Sequence, residues 1–425
     1  MLSKIKQKIK NINVVPGGLI TSTKYLGLKD TFSMLFRMTL SYSRTFFYLL
    51  RKKGLGAALK FAYVKFFVPA GEGAGGIALF LLGPIIRKFP NLAPFPRYVE
   101  IEMTTICNKK CIICEYTYWK PGDQEKRHLT LEEFKHIVKQ FPKLSWVNLT
   151  GEGSAFLNPD YLKMLRYLKS KDVPIFLVDH LSDLDEATIK ELVEMGIDGI
   201  YVSMDGATKE TYQSIKVGCD FENAIKNIKR LIELKKEYKS PIPEISFRYV
   251  ITTKNYQEMP QFIELLSSLG SKKEFGDGSR LEFCGLLSFK EIEHLNLEKI
   301  PEEIINQTLQ KKKKNDIHVI FGHSEKHKNP SINECISWME PYIMMGGYVL
   351  PCCGVLMSNQ RPFLRKNAFG NVFEKSFKEI WDSERYKRFR CLVNQPNGKV
   401  PLFCRGCRAY NTEEREKKYG VDENL

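Results

Sequence analysis

Met103-Thr104-Thr105-Ile106-Cys107-Asn108-Lys109-Lys110-Cys111-Ile112-Ile113-Cys114-Glu115-Tyr116 is the stretch from which the rest of this chain can be read. It places Cys107, Cys111 and Cys114 on one short loop in a Cys-x3-Cys-x2-Cys spacing. Iron–sulfur clusters take cysteine thiolates as ligands and a [4Fe–4S] cube has four corners, so three thiolates leave one iron without a protein ligand. An electron carrier normally has all four corners closed, whereas an open iron suits a cluster that binds and activates a small molecule. The alternative is a zinc site, but zinc usually draws on two separated Cys-x2-Cys or Cys/His pairs, which three cysteines on one loop fit poorly.

Outward from the loop the chain alternates strands and helices. Tyr98 to Met103 reads as a short strand delivering the chain to the loop, and Thr130 to Gln140 as a helix capped by Thr130 with Glu133 three residues on. Trp146 to Thr150, Pro174 to Val178, Gly199 to Met204 and Glu244 to Thr252 are further strands, each followed by a helical pattern, and Leu281 to Leu286 is a sixth. This alternation implies right-handed βαβ units and a parallel sheet.

The cysteine spacing resembles the signature of the radical S-adenosylmethionine (SAM) superfamily. The resemblance implies an α/β fold, a partial (β/α)6 TIM-like barrel with its site at the carboxyl ends of the strands, where the cysteine loop falls. It further implies that the open-site [4Fe–4S] cluster binds SAM. After the second strand come Gly151, Glu152, Gly153, Ser154 and Ala155, where the family usually has Gly-x-Gly-Glu-Pro around the SAM amino and carboxylate groups. Backbone contacts from Gly151 and Gly153 fit that turn, while the acid is displaced to Glu152; an ordinary strand-to-helix turn is the alternative. The fourth strand ends in Ser203-Met204-Asp205-Gly206, similar to the family's Ser-x-Asp-Gly. Strand side chains repeat every two residues, so Ser203 and Asp205 share a face and are candidates to bond the ribose or methionine part of SAM. Asp205 is equally a candidate N-cap of the following helix. By position alone, Val250 and Phe283 are candidates for adenine packing, and His180 is a candidate substrate-side or SAM-side residue or a structural histidine.

Toward the C-terminus, Cys335, Gly346 to Cys353, Gly370-Asn371, Ile380-Trp381, and Cys404-Arg405-Gly406-Cys407 resemble the SPASM extension of radical SAM enzymes. Cys335, one of Cys352 or Cys353, Cys404 and Cys407 supply four thiolates, enough for one fully ligated auxiliary [4Fe–4S] cluster; a zinc knuckle is the alternative. Cys219, Cys284 and Cys391 are left over and read as buried free thiols.

Eleven cysteines in a chain that opens with Lys4, Lys6, Lys8 and Lys10 and no apolar core behind them argue for metal binding in a reducing compartment and against a secreted disulfide framework. Of the net charge of +16, residues 1–95 hold +13, from fifteen Lys or Arg against Asp30 and Glu72. Arg37, Arg44 and Arg51 recur every seven residues among Phe32, Leu35, Phe36, Leu40, Phe46, Phe47 and Leu50, and apolar patches follow at Phe61 to Phe67 and Gly76 to Ile86. None has the 18 to 20 apolar residues of a spanning helix. Basic, aromatic-rich amphipathic helices lie in the membrane interface; the alternative is that the apolar face packs on the barrel, and so much aliphatic surface does not suit nucleic acid.

The expected organisation is a basic helical appendage over 1–95, the barrel over 96–290, a linker or helical segment over 291–334, and the auxiliary-cluster domain over 335–425. The expected enzyme cleaves SAM reductively and abstracts hydrogen from an unactivated carbon. Its expected partners are a membrane lipid or alkyl-chain substrate and an electron donor such as ferredoxin or flavodoxin, at the inner face of the membrane on the cytoplasmic side. Modification of a ribosomally made peptide is the alternative activity, and an iron–sulfur electron carrier without SAM chemistry is a third reading.

Overall fold

The structure, a computed structural model, describes residues 42–67, 83–276, 278–287, 289–315, 317–322 and 331–425. Its frame is one nine-stranded sheet built from β1 (Tyr98–Ile101), β2 (Trp146–Asn148), β3 (Ile175–Asp179), β4 (Gly199–Ser203), β5 (Glu244–Ile251), β6 (Leu281–Gly285), β7 (Val319–Gly322), β8 (Tyr342–Met344) and β9 (Tyr348–Leu350). The strand order is β7-β6-β5-β4-β3-β2-β1-β8-β9, and every pair is parallel except the β8–β9 hairpin. The six expected strands are present in sequence order. Two extensions were not expected: β7 extends the sheet past β6, and the C-terminal hairpin pairs with the free edge of β1 through Glu100↔Tyr342 and Ile101↔Ile343. An unpaired strand edge presents bare N–H and C=O groups, and β8 covers that of β1.

Local chemistry sets the elements. The helix Leu131–Lys139 begins where expected, with a complete capping box between Thr130 and Glu133. Asp185, Thr208 and Asp220 cap the helices Glu186–Met195, Lys209–Ile215 and Phe221–Glu237. At the β8–β9 turn Gly347 has φ +86, and a Cβ there would meet the side chains of Asn371 and Phe373. Only glycine suits both conditions.

The two faces of the sheet differ in chemistry. Val99, Ile101, Val147, Ile175, Leu177, Ile200, Val202, Ile245, Phe247, Leu281 and Phe283 form one aliphatic and aromatic core with the surrounding helices. The opposite, inward face has an aromatic floor of Tyr98, Trp146, Phe176 and Tyr201, with Trp146 and Phe176 stacked at 4.1 Å. Above that floor, toward the carboxyl ends, Asn148, Val178, Ser203, Arg248 and Val250 are each partly exposed between buried outward-facing neighbours, and Cys284 is partly exposed next to buried Phe283. The concave interior is therefore open at the carboxyl ends of the strands, where sites of such folds lie.

The N-terminal helices α1 (42–53) and α2 (Leu55–Phe67) form a small core of Leu49, Ala58 and Phe61. They join the barrel at its amino-terminal rim. Lys60 Nζ donates to Lys171 O at 3.3 Å, and Arg97 donates to Tyr63 Oη at 2.7 Å. Asp198, just before β4, acts on both Lys53 and Lys60, and Tyr42 lies against Gly278 just before β6. Arg37, Phe32, Leu35, Phe36, Leu40 and most of the Gly76 to Ile86 patch lie outside the described residues. Among the described residues no helix is long and apolar enough to cross a membrane.

Candidate functional site

The loop after β1 is held in shape from both flanks. Cys107 N donates to Tyr116 Oη at 3.1 Å, Thr117 Oγ1 donates to Cys111 O at 2.8 Å, and Tyr118 Oη donates to Ile112 O at 2.9 Å. Lys110 N and Ile112 N donate to Val217 O and Ile215 O, both at 2.9 Å, pinning the loop to the turn beyond β4. Lys109, almost fully buried, pins it to the turn beyond β3 through Asp183 at 2.7 Å and donates to Gly218 O at 2.8 Å.

Cys107, Cys111 and Cys114 act electrostatically on one another, so the loop brings them together. Burial, with the neighbouring Glu152 carboxylate, pushes the Cys114 thiol up to about 12, and burial raises Cys107. Cys111 instead falls to about 7, because the Cys219 thiol hydrogen-bonds it. Among the described residues no three His, Cys, Asp or Glu side chains lie close enough to share a single metal ion. Three thiols gathered on one loop fit the three cysteine-held corners of a cube, which gives each thiolate its own iron.

The glycine turn after β2 packs on this loop. Ser154 N donates to Ile106 O at 2.9 Å, and a Cβ on Gly153 would stand 2.4 Å from Thr104 O. The glycine is thus already required by the approach of two backbones. Beneath the turn, Arg361 from the C-terminal part donates through Nη2 to both oxygens of Glu102 at 2.7 Å, and Met345 N donates to Glu102 at 2.8 Å. Arg361 is 3% exposed and Glu102 0%. Arg361 Nη1 stands 3.7 Å from Glu152 Oε2, with the Trp119 ring 4.8 Å from the guanidinium. Burial holds the Glu152 carboxyl well above the usual carboxylate range despite Arg361. Glu115, bonded to Glu152, takes Arg408 Nη1 at 2.7 Å; Glu115 follows Cys114 and Arg408 follows Cys407, so this ion pair bridges the two cysteine groups.

Breaking a buried ion pair from one side leaves an uncompensated charge, at a cost of about 3–5 kcal/mol. Arg361→Met is therefore expected to lower stability by about that amount, measured by denaturant unfolding, and Glu102→Gln in the same chain to recover part of it.

Ser203 and Asp205 do share a face, and one cation serves both. Lys216 Nζ donates to Ser203 Oγ at 2.9 Å and stands 2.9 Å from Asp205 Oδ2, and Lys216 and Asp205 both act on Cys111. Asp205 Oδ1 accepts from Val250 N at 2.7 Å. Asp205 is not the N-cap of the next helix; Thr208 is, accepting from Thr211 N. His180 Nδ1 is bonded by Ser182, and burial holds its imidazole below the usual range. His180 Nε2, buried near the loop, has no hydrogen-bond partner among the described residues, and Glu152 Oε2 has only the Arg361 ion pair at 3.7 Å. Buried polar atoms are normally satisfied, so these suit a polar ligand such as SAM. Val250 faces the open interior, but Phe283 is buried in the outer core against Tyr249 and Phe321 and faces away from it.

In the C-terminal part, Cys335, Cys352, Cys404 and Cys407 act on one another, and burial raises all four thiols, Cys335 to about 12. Cys353 turns away and hydrogen-bonds the Glu100 carboxyl. Cys391 lies apart, its Sγ 3.7 Å from Asn91 Oδ1. Four buried thiols fit a fully ligated auxiliary cube. Sequence reasoning missed Lys216, Arg361, Glu102, Arg408 and the contact of Cys219 with Cys111. Lys216, eleven residues past Asp205 at the end of one helix, carries no spacing signal.

Residues 101–266 match the radical SAM superfamily, and residues 335–408 match an iron–sulfur cluster-binding domain, SPASM. Among curated relatives, the tungsten-containing aldehyde ferredoxin oxidoreductase cofactor-modifying protein of Pyrococcus furiosus is 25% identical over 70% of this chain and 84% of its own length. The AdoMet-dependent heme synthase of Methanosarcina barkeri is 23% identical over 74% and 91%. Among solved structures, Streptococcus suis SuiB bound to S-adenosylmethionine superposes with a TM-score of 0.56 at 15% identity, over 89% of this chain and 92% of that one.

Proposed function

The chain belongs to the radical SAM superfamily, carries a C-terminal SPASM iron–sulfur domain and is an enzyme; on that premise we propose that it removes a hydrogen atom from a carbon of a polar substrate, a peptide, held in the open end of the barrel. The first domain implies a [4Fe–4S] cluster and SAM, and the second implies auxiliary iron–sulfur. When bound, such a cluster and SAM supply reductive cleavage of SAM to a 5′-deoxyadenosyl radical, with the electron drawn from a donor such as ferredoxin or flavodoxin.

In this reading Cys107, Cys111 and Cys114 hold that cluster, and Cys335, Cys352, Cys404 and Cys407 the auxiliary one. Gly151, Glu152, Gly153, Ser203 and Asp205 face SAM, with Lys216 holding Ser203 and Asp205 in place. Trp119, Tyr118 and Phe289 beside the loop help exclude water from the reacting carbon.

The observation that carries the choice of substrate is the chemistry of the interior. Its open part sets Asn148, Ser203 and Arg248 among Val178, Val250 and Cys284, with Glu100 and Glu282 behind the polar groups. An alkyl chain there would strip water from these groups without replacing its hydrogen bonds, whereas peptide amides replace them. Lipid as substrate rested on the basic appendage, and α1 and α2 join the barrel at the opposite end from the cysteine loop. SuiB, whose fold this chain shares, has also been solved with a precursor peptide bound.

The test supplies the reduced, reconstituted enzyme with SAM and either the peptide fraction or the lipid extract of its own cells, and measures 5′-deoxyadenosine. Stimulation by the peptide fraction, with a mass change in one peptide, supports the reading. Stimulation by the lipid extract alone overturns it.

A further inference from the structure

Residues 42–67 contain six Lys or Arg and no Asp or Glu. In the structure one side of each helix is buried and the other exposed. On α1, Leu49 is buried, whereas Arg44, Phe47 and Arg51, spaced i, i+3 and i+7, are exposed on one face, followed by exposed Lys52. On α2, Ala58 and Phe61 are buried, whereas Leu55 and Leu59, spaced i and i+4, are exposed; Tyr63 takes Arg97 of the rim. Phe47 is 54% exposed, Leu55 59% and Leu59 54%. Lys53 and Lys60 serve the other side, Lys53 Nζ lying by Gly196 and Lys60 Nζ donating to Lys171 O at the barrel rim.

We propose that the outer face of α1 and α2 docks on an anionic lipid bilayer, lying in the interface without crossing it, and that it turns the open end of the barrel away from the membrane. Large apolar side chains flanked by arginine and lysine, with no acid among them, match the apolar boundary and negative headgroups of such a surface at once. A nucleic acid would use the cations and leave Phe47, Leu55 and Leu59 exposed. The orientation follows from the attachment. α1 and α2 meet the residues just before β1, β3, β4 and β6, whereas the cysteine loop follows β1 at the other end of the strands. The appendage thus acts as an anchor and not as a substrate reader, and this inference stands whether or not the substrate is a peptide.

The test uses the full-length protein and vesicles of phosphatidylcholine with or without about 30% phosphatidylglycerol, read by flotation. The wild type is expected to float with the anionic vesicles and to be released by high salt. Phe47→Ser with Leu55→Ser and Leu59→Ser, all exposed positions, is expected to reduce bound protein about tenfold or more, as is Arg51→Glu with Lys52→Glu. Reductive SAM cleavage by both variants is expected to match wild type. Oxidative footprinting on vesicles is expected to protect Phe47, Leu55 and Leu59 and to leave Tyr118 and Trp119 as reactive as in solution. Equal flotation on neutral vesicles, undiminished flotation of the serine variant, or protection of Tyr118 and Trp119 each overturns the proposal. So does a wild-type dimer that the serine variant turns into monomer, since that makes the face an interface between two copies.

Discussion

Cys114→Ala is expected to leave the reconstituted enzyme with about half its iron, falling from about eight to about four atoms per chain, and to abolish formation of 5′-deoxyadenosine. Cys114 is the most deeply buried of the three loop thiols. The remaining pair, Cys107 and Cys111, cannot retain a cube against solvent. Removing an outer-shell partner of a metal ligand typically costs 10–100-fold, so losing a ligand itself is expected to exceed a hundredfold in SAM cleavage. Cys219→Ala is the matched control. It removes a buried thiol that hydrogen-bonds Cys111 and Tyr212, so the full iron content is expected to remain, with SAM cleavage reduced about tenfold. Iron analysis and the electron paramagnetic resonance signal of the reduced protein separate the cases. Loss of half the iron in both variants would mean that Cys219 is itself a ligand.

What the sequence made legible was local. The cysteine spacing, the two-residue period of the strands and the Thr130–Glu133 cap are all decided within a few positions, and the six barrel strands and the pairing of Ser203 with Asp205 on one face followed from them. What stayed hidden depends on pairing across the chain. Glu102 and Arg361 are 259 residues apart, and they meet because β8 lies beside β1, which neither residue announces. The same hairpin explains why the C-terminal region is not a detached appendage. Phe283 was misplaced for a different reason. The alternation that puts Glu282 and Cys284 on the inner face sends Phe283 outward, and assigning it by strand position ignored that period. The seventh strand, Val319–Gly322, was hidden in a segment read as a linker, being only four residues long and bordered by charge.

Cys352 and Cys353 show the same limit at its sharpest, and they yield a prediction with opposite outcomes for adjacent residues. Neighbouring residues leaving a strand point to opposite sides, so only one can reach the group formed by Cys335, Cys404 and Cys407. The register of β9 beside β8 decides that it is Cys352, while Cys353 bonds the Glu100 carboxyl on the inner face of β1. Cys352→Ala is expected to remove about four irons per chain and the auxiliary signal, while the loop cluster still supports SAM cleavage at a rate within about tenfold of wild type. Cys353→Ala is expected to keep both clusters. It leaves Glu100, which burial already pushes up to about 7, with Tyr98 and Asn148 but without its thiol partner, so the cost falls on stability, at about 0.5–1.5 kcal/mol for one lost hydrogen bond. Iron content, the spectrum of the reduced protein and a urea melt on each variant distinguish these outcomes. The reverse pattern, with iron lost only from Cys353→Ala, would mean that the strand register differs from the one described, and with it the contact between Glu102 and Arg361.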